Sequence, residues 1–202
     1  MYNYIYRFIQ NLIGFFLNTH NNFYKDIANL LSKSDFEEIH DVGGSDGILL
    51  NYINHREYKY FCYDINRANI LRNKTKYKKY KNITFYFKSI DDINIRNNKK
   101  KIFLFIGVFH HLKDDQIISF LKKTSSNDSI IALDPFFHQN QNFLSIFLKK
   151  LDDGKYIRDY IGYKKILIKF QFKKRINYYL KFYSHLISYK NINKKLIKIL
   201  IS

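Results

Sequence analysis

Apolar residues along this chain follow two spacings: short continuous runs, and stretches where they recur every three or four positions. The first marks buried strands and the second amphipathic helices. Helical spacing covers residues 2–17, where Asn3, Arg7, Gln10, Asn11 and Asn18 leave a broad apolar face. It recurs over residues 21–33, with Phe23, Ile27, Leu30 and Leu31 on one side. Strands are expected at Glu38–Val42, where His40 takes a normally apolar place, and at Tyr58–Asp64, Ile83–Phe87, Lys101–Ile106 and Ser129–Leu133. Helical patterns between them run from Gly47 to about Ile53, from about Asn66, and over Asp114–Lys123. Asp134-Pro135 is expected to end the fifth strand, because proline cannot donate to a ladder. Helices over Phe143–Leu151 and Tyr160–Ile168 follow, then two strand-like runs, Arg175–Phe182 and His185–Tyr189. A basic amphipathic helix is expected from Lys194 to Ile201.

Alternating strand and helix implies an α/β fold, with a mostly parallel seven-stranded sheet and helices on both faces. The 202 residues suffice for one domain with a sizeable core. Within it, 1–34 reads as a helical cap or lid, 35–190 as the core and 191–202 as a basic tail. Hydrophobic content of 46% and aromatic content of 18% argue against wholesale disorder. The net charge of +18 invites a nucleic-acid reading, yet the lysines are scattered, apart from small runs such as Lys99-Lys100-Lys101. With Asn, Ile, Tyr and Phe also abundant, and only 1 Pro and no Trp, the excess reads as a coding bias spread over ordinary surface.

Cys62 is the single cysteine, which excludes an intrachain disulfide and a multi-cysteine zinc site and fits a reducing cytoplasm. No run approaches the ~18 apolar residues of a membrane span. Residues 2–17 lack the basic start and small-residue cleavage site of a secretory signal. They read as a cap helix, with peripheral membrane contact as the alternative.

The chemistry concentrates between Glu38 and Asp64. A strand there breaks into Asp41-Val42-Gly43-Gly44-Ser45-Asp46-Gly47, and the next strand ends in Asp64. Glycines let a backbone approach a ligand closely, and an acid at the tip of the second strand is placed to accept ribose hydroxyls. A nicotinamide-type G-x-G-x-x-G is excluded, since positions 45 and 48 are Ser and Ile, and no Gly-Lys-Ser/Thr supplies a phosphate loop.

This stretch resembles the cofactor half of class I S-adenosylmethionine-dependent methyltransferases, whose pattern is D/E-x-G-x-G-x-G. Asp41, Gly43 and Gly47 fall on their places, Ser45 replaces the middle glycine and Gly44 lies beside it. Seven strands, with the last two adjacent, is the count and ending of that Rossmann-like fold. The run Ile102–Leu112, closing on Gly107-Val108-Phe109-His110-His111-Leu112, resembles the strand-four turn of bacterial small-molecule members. The resemblance implies S-adenosylmethionine as cofactor, held by Asp41, Gly43, Gly44, Ser45, Gly47, Asp64, Ile65, Ser89, Ile90, Gly107 and Val108. It implies a small-molecule acceptor, methylated on oxygen or nitrogen, with Asp134, Tyr156 and Arg158 facing it and Arg158 holding an anionic group. His110 or His111 is the candidate general base. His110, His111, Asp134 and His138 would be the gathering point for a metal, but no spacing specifies one, so none is expected. Asp134-Pro135-Phe136-Phe137 differs from the amide N-methyltransferase motif, which follows strand four and carries a second proline. The alternatives are a basic RNA methyltransferase and a non-catalytic binding or membrane-surface protein of this fold.

Overall fold

The computed structural model describes residues 19–95, 99–141, 143–152, 154–177 and 184–200. The helix expected over 2–17 and the far part of the run expected over 175–182 lie outside them. Among the described residues seven strands form one sheet: β1 (Glu38–Val42), β2 (Lys59–Asp64), β3 (Ile83–Phe87), β4 (Lys101–Ile106), β5 (Ser129–Pro135), β6 (Lys173–Asn177) and β7 (His185–Lys190). Their spatial order is β3-β2-β1-β4-β5-β7-β6. The first five are parallel, while β7 runs antiparallel to both β5 and β6. Strand order reverses between β1 and β4, and loops leaving a parallel sheet on either side of such a switch frame a crevice.

Each face of the sheet has its own apolar layer. On one, α1 (Thr19–Ser32) sets Phe23, Ile27, Leu30 and Leu31 against Ile39, Tyr60, Ile102 and Leu104. The same layer takes Ile70 of α2 (Arg67–Lys76) and residues of the carboxyl-terminal segment that follows β7. On the other face, Phe103 and Phe105 of β4 meet the edge of Phe120 from α3 (Asp114–Lys123). Helices α4 (Phe143–Leu151) and α5 (Tyr160–Leu167) follow β5, and α6 (Lys194–Ile197) follows β7. Among the described residues no helix is long and apolar enough to cross a membrane.

His40 keeps β1 intact despite its polarity. Its ring stacks on Phe61, lies 4.7 Å from that of Phe103 and bonds the Tyr63 hydroxyl at 3.1 Å. Burial lowers its pKa to about 4, so it packs as a neutral aromatic.

Three expectations need correction. After the glycine loop there is no α-helix over 47–53 but a single 3₁₀ turn, Ile48–Asn51. Leu49 and Leu50 both turn into the core, and the Tyr52 N–H closes on Leu49 at 2.9 Å, which ends the turn before a helical ladder develops. β5 does not stop ahead of Asp134-Pro135 but includes both residues and ends on Pro135. β4 has already left the sheet there, with Gly107 N–H on the Leu133 carbonyl, and Pro135 pairs only with His185 of β7. The last helix is one short α-turn, α6, continued by a 3₁₀ turn, Lys198–Leu200.

Leu30 has no solvent exposure, whereas Leu71 on α2 is 54% exposed. Leu30→Ala should cost about 2–5 kcal/mol of unfolding free energy in urea titrations, and Leu71→Ala less than about 0.5 kcal/mol. Equal effects would contradict α1 as part of the core.

Candidate functional site

The crevice at the β1–β4 switch is shaped by four residues in the left-handed region: Gly43 (φ 73°), Ser45 (φ 38°), Gly47 (φ 64°) and Gly107 (φ 69°). A Cβ on Gly43 would lie 2.6 Å from a Val108 methyl, so the loops after β1 and β4 touch across the switch. Ser45 occupies backbone space that suits glycine, and three hydrogen bonds hold it there. Its N–H donates to Asp64 Oδ2 (2.8 Å), its hydroxyl accepts from Asn69 (2.7 Å) and its carbonyl accepts from Asn73 (2.9 Å).

Asp64 ends β2 facing this loop. Its other oxygen accepts the Asn66 N–H at 2.6 Å, and Asn66 in turn caps α2 through the Asn69 N–H. A carboxylate offers about four acceptor positions, so Asp64 retains capacity for a ligand's hydroxyls. Ile65 beside it is 74% exposed. Asp41 lies beneath the loop, fully buried, and accepts the Tyr60 hydroxyl. A Cβ on Gly44 would strike that carboxylate at 2.6 Å and Cys62 Sγ at 2.9 Å. Tyr24 of α1 reaches the same spot; burial and the charges of Asp41 and Asp46 push its hydroxyl above the ordinary range. Ser89 bonds Asp92 at 2.9 Å and Ile90 is buried, so the Ser89–Ile90 side chains serve the turn they belong to.

On the β4–β5 side the structure revises the roles expected from sequence. His110 is buried and both its ring nitrogens face carboxylates: Nδ1 donates to Asp134 Oδ1 at 2.9 Å, and Nε2 lies 3.4 Å from Asp152 Oδ1. Burial pulls its pKa down, but the two carboxylates outweigh that and hold it at about 9. A group already protonated at neutral pH is not a general base, which removes His110 from that role. Asp134 sits behind His110, almost wholly buried, and so does not face an acceptor; its Oδ2 has no hydrogen-bond partner. Arg158 has no donor left for a ligand's anionic group. Its guanidinium donates to the carbonyls of Phe109, Leu112 and Tyr156 and, twice, to Asp114, which uses all five N–H groups. Tyr156 hydrogen-bonds through its backbone to the His110 carbonyl at 2.8 Å. His111 is exposed at the rim, its ring 4.0 Å from that of His110. His138 packs against Phe136 instead of joining the other two histidines.

Residues that sequence reasoning did not single out complete the site. Asn66, Asn69 and Asn73 form a stripe at helical spacing, a periodicity readable in the chain as an amide-bearing face. Asp152 and Gly154 lie in the connection between α4 and α5. A Cβ on Gly154 would lie 2.1 Å from the His110 ring, so only glycine lets this segment close over it. Another depression, about 710 Å³, lies at the opposite edge of the sheet between Ser34, Lys100, Asn191 and Lys195. No carboxyl end of a parallel strand opens there.

No family model matches the chain, and no curated protein matches it in sequence. Solved structures do match in fold. Mitomycin 7-O-methyltransferase aligns with a TM-score of 0.62 at 12% identity, over 84% of this chain and 53% of that one. Human N-acetylserotonin methyltransferase, solved with S-adenosylmethionine, aligns at 0.61 and 15%, over 84% and 52%. An S-adenosylmethionine-dependent methyltransferase from Leishmania major aligns at 0.64 and 13%, over 86% and 73%. The chain has the class I S-adenosylmethionine-dependent methyltransferase fold and spans about half the length of the first two structures.

Burial lifts the Asp41 carboxyl from 3.8 to about 6; the Tyr60 hydroxyl opposes this and the nearby Asp64 charge adds to it. A carboxyl raised on folding favours the native state below pH 3.8, and that contribution is lost as pH rises to about 6. Asp41→Asn, which keeps an oxygen for Tyr60, should be more stable than wild type by about 2–3 kcal/mol near neutral pH and indistinguishable near pH 4. Denaturant titrations at the two pH values check this.

Proposed function

We propose that this chain is an S-adenosylmethionine-dependent methyltransferase acting on a small-molecule acceptor at oxygen or nitrogen. The observation that supports it best is the left-handed Gly43–Gly47 turn facing the Asp64 carboxylate at the β1–β4 switch. The cofactor fits these residues. The turn brings backbone within reach of its methionine part, Asp64 has spare lone pairs for the ribose hydroxyls, and exposed Ile65 offers an apolar surface beside them for the adenine. Gly107 and Val108 line the other wall. S-adenosylmethionine supplies an electrophilic methyl group when bound.

The protein's own work is then positioning. Methyl transfer needs an in-line approach and a dry crevice, and orientation alone can supply several kcal/mol of the barrier. The rigid loop, tied by Asn69 and Asn73, fixes one partner, and the Arg158-stapled turn after β4 fixes the surface where the acceptor would lie. With His110 held as a cation between two carboxylates, the reaction runs without it as a base, and an acceptor that ionises readily suits the site best.

Calorimetric titration with S-adenosylmethionine and S-adenosylhomocysteine tests the proposal. Micromolar binding is expected, weakened at least about tenfold, or ~1.4 kcal/mol, by Asp64→Ala. Gly43→Ala should abolish it, since its Cβ both strains the turn and meets Val108. A folded wild type that binds neither compound would overturn the reading.

A further inference from the structure

We propose that His110, His111 and Asp152 form a binding site for a first-row divalent metal ion, with Asp134 as the outer carboxylate that orients His110. One ligand atom from each of the three lies within 4.8 Å of the others. The His110 Nε2 to Asp152 Oδ1 separation of 3.4 Å is long for a hydrogen bond, where about 2.7–3.2 Å is usual. It matches the edge of a tetrahedron with metal–ligand bonds of about 2.1 Å, which is roughly 3.4 Å.

The surroundings fit the same reading. Asp134 takes the Nδ1 proton at 2.9 Å, which fixes the ring and turns Nε2 toward Asp152, the carboxylate–histidine arrangement that supports metal ligands. Gly154 lets the Asp152 segment close onto the ring, and the Tyr156 N–H on the His110 carbonyl locks it there. Charge balance points the same way. Asp134 and Asp152 bring two negative charges, Arg158 is paired with Asp114, and Asp134 Oδ2 has no partner. A divalent ion here would displace the Nε2 proton of the His110 imidazolium, and its two charges would balance the two carboxylates. Two imidazoles and one carboxylate suit Zn²⁺, Fe²⁺, Co²⁺ or Ni²⁺ better than Mg²⁺ or Ca²⁺. Three protein ligands leave coordination positions open, and exposed His111 places them toward the rim, where a water or an acceptor oxygen would bind.

Equilibrium dialysis of the full chain against Co²⁺, followed by visible absorption, tests this without any S-adenosylmethionine, so the result is separate from the cofactor reading. One Co²⁺ per chain is expected, with ligand-field bands of a four- or five-coordinate site. Asp152→Asn and His111→Ala should each weaken binding at least tenfold, and Asp134→Asn by roughly 10–100-fold. His111 is exposed, so its replacement leaves the fold intact and keeps the test decisive. Absence of stoichiometric Co²⁺ in the wild type, or affinity unchanged in both the Asp152 and His111 variants, would overturn the proposal.

Discussion

The crevice depends on one backbone constraint: the chain leaving β1 must turn through left-handed conformations at Gly43, Ser45 and Gly47 without a stabilising helix behind it. Two of these residues are glycine and adopt such angles at little cost, while serine does not. Ser45 is therefore bound on every polar atom: Asp64 takes its N–H, Asn69 donates to its hydroxyl and Asn73 to its carbonyl. The turn after β1 is thus built from groups on β2 and α2. Asp64 joins the three elements, since it also receives the Asn66 N–H at the start of α2. A helix N-terminus would do part of this work in a longer connection. Here the single 3₁₀ turn leaves it to side-chain amides.

A second set of constraints governs the other side of the switch. The turn after β4 carries a buried imidazole between two carboxylates, and Arg158 spends its whole donor set closing that turn. Charged groups are costly to bury unless paired and hydrogen-bonded. His110, Asp134 and Asp152 meet that condition together, apart from the unpaired Asp134 Oδ2. The two halves of the crevice touch through Val108 and Gly43, so a shift in either loop is felt by the other.

Much of the fold was legible because the apolar runs are unambiguous. β3, β4 and α3 begin and end where composition places them: β-branched and aromatic runs for the strands, and an acidic first turn with a basic last turn for α3. Ile48-Leu49-Leu50 misled, because three consecutive apolar residues fit a helix and a single buried turn equally well, and only packing decides between them. The chemistry was legible where it lies close in sequence, as in the glycine loop and Asp64. Roles set by distant contacts were not. Arg158 reads as an anion ligand until Phe109, Leu112, Tyr156 and Asp114 are seen to use every donor. His110 reads as a base until Asp152, brought in from beyond α4, is seen at its second nitrogen.

These contrasts divide the crevice into two chemical halves. The β1–β2 half is made of backbone, amides and one carboxylate with lone pairs to spare, a set suited to hydroxyl donors. The β4–β5 half is ionic, and its one cationic ring is held by carboxylates from a strand end and from the segment after α4. A reaction at the boundary needs little from the first half except position. It takes its electrostatics from the second, where the balance between Asp134, Asp152 and whatever cation sits between them sets the field that an acceptor meets. In the proposed reading, the cofactor side is therefore left to backbone geometry, and the choice of acceptor falls to the few residues around His110.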